Sequence, residues 1–189
     1  MDIAEFKSML RKRIREQRRS LSDEERALSA KAVAERIEAL EGLKGARFVL
    51  AYMPMKYELD ILPAVERLKA RGITPVFPLC TQNNGLRLLI PAEKNGFITG
   101  AYGIMEPDES RAREIAADEL DAIILPAIGF DAAGRRLGQG GGYYDRLLAR
   151  CSCLTIAAGF DCQLIPEVPV EETDKTVDIV VTPSKTLLI

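Results

Sequence analysis

The sequence predicts an α/β fold: a single domain over residues 1–189, with a central, mostly parallel sheet flanked by helices on both faces. Three observations carry this. Residues 48–79 read strand, helix, strand at a spacing that suits a right-handed crossover between parallel strands. Residues 122–125 and 154–160 are short apolar runs that read as further buried strands. Finally, 189 residues with 47% hydrophobic and 29% charged side chains suit one compact core, and no internal repeat, low-complexity tract or interdomain linker interrupts them.

Taken in order, residues 3–19 place Ile3, Phe6, Leu10 and Ile14 at helical spacing, so that one stripe docks on a core. Lys7, Arg11, Arg15 and Arg18 line up on a flanking face, which by itself reads first as a solvated cationic face. Ser22 followed three residues later by Glu25 is a capping box opening a second helix to about residue 40, with Leu28, Val33, Ile37 and Leu40 on its buried side. Residues 48–52 form a strand, and Asp60 with Pro63 opens a helix that Gly72 ends. Residues 73–79 return to strand and residues 85–90 are another. Residues 91–107, with Gly96, Gly100 and Gly103 and no clear period, predict a long connection holding a short strand. Residues 111–119 are polar and helix-prone. After the strand at 122–125, a helix runs to about residue 150, a strand covers 154–160, and residues 177–181 form the last one.

The most informative segment lies between two of these elements. Gly138, Gly140, Gly141 and Gly142 put four glycines within five residues. Such a loop lets the backbone approach a ligand and point several N–H groups at it, which suits a phosphate, and a helix starting at Tyr143 would add its positive end. Arg136 and Arg146 flank the loop. A flexible turn would need none of this company. Neither GxxxxGK[ST] nor GxGxxG is matched, so an ordinary Walker or dinucleotide site is excluded.

Composition removes other classes. With 26 basic and 28 acidic residues the net charge is -2, which recruits neither nucleic acid nor an anionic membrane. The chain has no histidine, which eliminates Ser-His-Asp triads, Cys-His pairs and His-ligated zinc. Cys80, Cys151, Cys153 and Cys162 lack CxxC spacing and read as free thiols. No apolar run is long enough to span a bilayer, and the N-terminal residues lack a secretory h-region, so a cytoplasmic enzyme is expected.

The run from Leu125 to Asp131, then Gly134, Arg136-Leu137-Gly138 and Gly140 to Arg146, resembles the 5-formyltetrahydrofolate cyclo-ligase family, also called methenyltetrahydrofolate synthetase. Lys7-x-x-x-Arg11, Tyr52-x-Pro54-x-x-x-Glu58-x-Asp60, and Pro169 to Asp174 followed by Val177 to Thr182 fit the same family, in order along nearly the whole chain. The resemblance implies cyclisation of 5-formyltetrahydrofolate to 5,10-methenyltetrahydrofolate with Mg2+ and ATP, releasing ADP and phosphate. It implies that Lys7 and Arg11 hold ATP phosphates and that Arg136, Leu137, Gly138, Gln139, Gly140, Gly141, Gly142, Tyr143 and Tyr144 form the nucleotide loop. Asp145 and Asp174 would hold magnesium. Met53 and Glu58 would line the folate pocket, sharing Gln139 to Tyr143 with the nucleotide, and Arg136, Tyr143 and Asp145 would be catalytic.

Met53 and Tyr57 are apolar enough to flank a pterin, and the Glu58 carboxylate can accept paired N–H donors from an aminopyrimidinone ring. Tyr143 either orients the formyl group or packs on the folate. Gln139 stands where many relatives carry a basic residue and Thr173 where many carry His. The expected partners are the folate, polyglutamylated or not, and ATP, with neither nucleic acid nor membrane, and the chain acting as a monomer. Two alternatives stay open: a non-catalytic folate or nucleotide binding protein, and a sugar-phosphate isomerase or acyl-transfer enzyme on a similar scaffold.

Overall fold

The structure is a computed structural model that describes residues 2–81, 85–100, 103–171 and 174–189. Its centre is an eight-stranded sheet of order β12-β11-β10-β7-β1-β2-β3-β6. The strands are β1 (Phe48–Leu50), β2 (Thr74–Cys80), β3 (Leu86–Pro91), β6 (Ala112–Ile115), β7 (Ala122–Pro126), β10 (Leu154–Ala158), β11 (Ile179–Val181) and β12 (Thr186–Leu188). The five central strands from β11 to β2 run parallel, and the outer strands β12, β3 and β6 are antiparallel to their neighbours. Two hairpins stand apart: β4 (Phe97–Thr99) with β5 (Met105–Pro107), and β8 (Gly129–Phe130) with β9 (Arg136–Leu137).

Alternation divides the sheet into two cores. Val49, Ile124, Ile156 and Ile179 face helices α2 (Asp23–Glu38) and α3 (Leu62–Ala70), whereas Leu50, Ile123, Leu125 and Val180 face Leu147 of α4 (Tyr143–Leu148) and Phe130. Because the central strands are covered on both faces, they read as continuous apolar runs. A third, smaller core docks Leu10 and Ile14 of α1 (Ile3–Ser20) on Ile128, Leu137, Ile165 and Val168, and so hangs α1 beside the β8–β9 hairpin.

The local signals behave as their chemistry requires. Asp2 caps α1 by accepting the Glu5 N–H at 2.7 Å, and Ser22 and Glu25 complete both bonds of the capping box. Asp60 accepts the Leu62 N–H, and Pro63 sits in the first turn of α3. Four expectations need correction. Residues 112–115, expected to be helical, are a strand, because Ile115 lacks the companions for an apolar helical face and instead buries beside Leu88 on the open edge of β3. The tail adds β12, antiparallel to β11, beyond the strand expected to be last. In α1 the buried line is Lys7, Leu10, Ile14 and Arg18, with Ile3 and Phe6 exposed: the buried stripe is turned toward the cationic face. In α2 Leu28 is exposed and Ala30 and Ala34 take the inner positions. Among the described residues, no helix is long and apolar enough to cross a membrane.

Candidate active site

Parallel strands end together, and the loops that follow them open a cleft of about 940 Å³ at that edge. Its walls come from α1, the loop after β1, the β4–β5 hairpin, the loop from β9 into α4, and Glu171, Asp174 and Lys175.

The glycine loop is held from beneath. Asp131, fully buried after β8, accepts the N–H groups of Ala133, Arg135 and Val168 and the Arg135 Nε at 2.6 Å, which sets the turn that delivers Arg136 to the cleft. Gln163, also buried, donates to the carbonyls of Ala127 and Ile128 and fixes the strand end before it. Gly140 and Gly142 have φ of 107° and 66°, conformations that a side chain would strain, so the expected need for glycine is real at these two positions. Gly142 caps α4, which is only six residues long. The helix end therefore contributes less field than the sequence implied, so a phosphate bound here would depend on the loop's own N–H groups.

Helix α1 supplies cations at successive turns. Arg11 Nε donates to the Gly138 carbonyl at 2.9 Å, and Arg15 Nη2 donates to Gln139 Oε1 at 2.6 Å. Lys7, one turn earlier, reaches Asp174 Oδ2 at 2.6 Å and Glu171 Oε2 at 2.7 Å. Burial alone would lower the Lys7 pKa, but hydrogen bonds to Asp174 and Glu171 and their charges outweigh it and raise it. Asp174 is pulled below its ordinary value: burial opposes this, and the Lys7 hydrogen bond with the Glu171 N–H overrides it. A second pair joins Arg136 Nη2 to Asp145 Oδ1 at 2.6 Å, with Arg136 Nε buried and without a hydrogen-bond partner.

At the other end of the cleft, Glu58 lies on the loop after β1. Its Oε2 accepts the Met55 N–H at 3.0 Å and its Oε1 accepts Gln139 Nε2 at 3.3 Å, so one residue of the glycine loop touches the carboxylate directly. Met53 is half-buried in the cleft wall. Tyr57, expected to flank a pterin, does not line the cleft. It adopts φ of 67° and turns its ring toward Arg19, Arg26 and Lys56, at 5.9, 5.0 and 5.1 Å. That anchor ties the Glu58 loop to the α1–α2 corner.

The remaining expected residues gather here as well. Tyr143 and Tyr144 line the cleft, with the Arg146 guanidinium 5.5 Å from the Tyr143 ring. The Tyr144 phenol is pushed up, first by burial and then by the Glu58 charge. Leu137 buries its side chain in the third core, and its carbonyl accepts the Ile128 N–H. Thr173 lies outside the described residues. Reading the sequence did not assign Arg15, which bonds Gln139, or the cleft residues Glu171, Ile104, Met105 and Glu106. Arg15 was legible as the next turn after Arg11, and Glu171 as part of the matching segment from Pro169 to Asp174; the hairpin carried no local signal.

The donor set can be tested for a metal. Among the described residues, no three acidic or thiol groups form a cluster that could hold an ion. Arg136 nonetheless pairs with Asp145 and acts electrostatically on Asp174. Two hard carboxylates fit magnesium when phosphate oxygens and water complete the sphere, as is usual for that ion.

The profile of the 5-formyltetrahydrofolate cyclo-ligase family matches residues 3–183. The 5-formyltetrahydrofolate cyclo-ligase of Escherichia coli K12 is 31% identical over 177 residues, covering 91% of this chain and 97% of that one. The mouse enzyme of the same name is 28% identical over 181 residues, covering 89% of each chain. The solved 5,10-methenyltetrahydrofolate synthetase of Aquifex aeolicus superposes with a TM-score of 0.84 at 32% identity, covering 96% of this chain and 92% of that one. The chain belongs to the 5-formyltetrahydrofolate cyclo-ligase family, a family of ligases.

Proposed function

We propose that this protein closes 5-formyltetrahydrofolate to 5,10-methenyltetrahydrofolate, using ATP and Mg2+ and releasing ADP and phosphate. The observation that carries this reading is the Gln139–Glu58 contact at 3.3 Å, which joins the glycine loop to the folate carboxylate inside one cleft. A pterin held by Glu58 and Met53 brings its formyl group toward the γ-phosphate of a nucleotide in the loop.

The chemistry needs ATP because the formyl oxygen is a poor leaving group. That oxygen attacks the γ-phosphorus and the bond to the β-bridging oxygen breaks, so ADP departs with the electron pair. The neighbouring anilino nitrogen then adds to the formyl carbon, its proton passes to the departing phosphate or water, and the C–O bond breaks. Phosphoryl transfer asks chiefly for positioning and neutralisation of charge. Arg136, Lys7, Arg11 and the loop N–H groups serve the phosphates, while Asp145 and Asp174 would hold the metal. A bound Mg2+ would supply charge neutralisation at the phosphoryl oxygens. Tyr143 borders both ligands and packs on or orients the formyl-bearing ring. No step asks for an imidazole, which agrees with a chain that has none. On the same reading the chain acts as a cytoplasmic monomer on small molecules.

The test is the near-ultraviolet methenyl chromophore. It should grow when protein, 5-formyltetrahydrofolate, ATP and Mg2+ are mixed, and stay flat when nucleotide or metal is omitted. Growth without ATP would refute the proposal.

A further inference from the structure

Four of the side chains assigned to metal and phosphate are paired with one another. Lys7 is held by Asp174 and Glu171, and Arg136 is held by Asp145, each carboxylate of the assigned metal site being bonded to a cation of the assigned phosphate site. The Lys7 and Arg136 side chains are only 8% and 4% exposed, so removal of their counter-charge leaves a buried cation uncompensated. Glu171 differs: its side chain is 56% exposed and returns to water at little cost. Its backbone stays tied to Asp174, whose Oδ2 accepts the Glu171 N–H at 2.9 Å and whose N–H donates to the Glu171 carbonyl at 3.0 Å.

We propose that Glu171 is a specificity-determining residue which, with the Lys7–Asp174 and Arg136–Asp145 pairs, makes the site accept nucleotide and metal only as a unit. This rests on the reading given under Proposed function. A polyphosphate entering alone must draw Lys7 and Arg136 away from three carboxylates, which then face it as like charges. A metal entering alone must take Asp145 and Asp174 and leave two buried cations beside it. Entering together, the metal takes the carboxylates, the phosphates take Lys7 and Arg136, and Glu171 swings into solvent. Each ligand thus raises the affinity of the other, reciprocally, by on the order of tenfold or more.

Calorimetric titration of the full chain tests this with ATP in EDTA, with Mg2+ alone, and with both. Wild type should bind ATP with Mg2+ at least about tenfold more tightly than ATP in EDTA, and Mg2+ alone weakly. Glu171→Gln, at an exposed position whose folding is checked by melting temperature, should tighten ATP binding in EDTA by about tenfold and narrow the metal preference accordingly. A merely structural role for Glu171 would weaken both. Unchanged or weaker metal-free binding in Glu171→Gln overturns the proposal, as does wild-type Mg2+ binding that is indifferent to ATP. Chromophore growth in the same samples separates the two readings. Growth with metal-indifferent nucleotide affinity overturns the exchange and leaves the reaction standing, whereas failure to bind ATP with Mg2+ overturns both.

Discussion

Asp145→Asn is the substitution that most directly separates the two halves of the cleft. The replacement keeps the shape of the side chain and an oxygen for Arg136 Nη2, now 2.6 Å from Oδ1, but removes the negative charge. Loss of the charge-assisted part of this hydrogen bond, at a position 28% exposed, destabilises the fold by about 1–2 kcal/mol. The effect on turnover is larger, because the carboxylate would fix the ion that neutralises the transferring phosphoryl group. Removal of one such electrostatic element lowers kcat by on the order of 100- to 1000-fold, equivalent to roughly 3–4 kcal/mol. Folate binding should change by less than about twofold, since the proposed folate contacts rest on Glu58, Met53 and the stretch from Gln139 to Tyr143 rather than on Asp145. Steady-state growth of the methenyl chromophore gives the first quantity and calorimetric titration of 5-formyltetrahydrofolate the second. Equal losses in both, or full turnover in the variant, would refute the division of the cleft into phosphate and folate ends.

Glu58→Gln should do the reverse, weakening 5-formyltetrahydrofolate by about ten- to a hundredfold through loss of an ionised acceptor while leaving ATP affinity in the absence of folate unchanged; calorimetry reads both. Asp131→Ala strips four hydrogen bonds from a fully buried carboxylate and should lower unfolding free energy by about 3–5 kcal/mol, measured by urea titration. Asp174 lies below its ordinary value of 3.8, so its stabilisation is complete above that pH and is lost as pH falls through the lower folded value. Wild type should therefore out-melt Asp174→Asn by a constant margin from about pH 5 to 8 that closes on acidification. Lys7, raised above 10.5, gives the opposite limb: its contribution is present below 10.5 and lost as pH rises through the folded value.

Elements whose determinants lie within a turn or two of one another were readable from the residues. Ser22 and Glu25 mark their helix start because both capping bonds are local, and the strand–helix–strand unit at residues 48–79 is legible because its period changes twice within a short span. The glycine loop is legible because φ of 107° and 66° are demands on single residues. Residues 112–115 were misread because a strand of four residues on a sheet edge owes its form to β3, which lies elsewhere in the chain. Tyr57 was misread because its direction is set by Arg19 and Arg26, which an apolar tally around Glu58 does not include.

By itself, then, the sequence determined the α/β class, the parallel centre, the place of the glycine loop and the absence of imidazole chemistry, all of which follow from side-chain periodicity, backbone freedom and composition. Only the tertiary structure decided that Lys7 meets Asp174 across 167 positions, that Arg136 meets Asp145, and that Gln139 links the glycine loop to Glu58. The reason is physical: pairing between charges depends on distance and burial, and both are set by how the sheet brings separate loops to one edge, which no local pattern encodes.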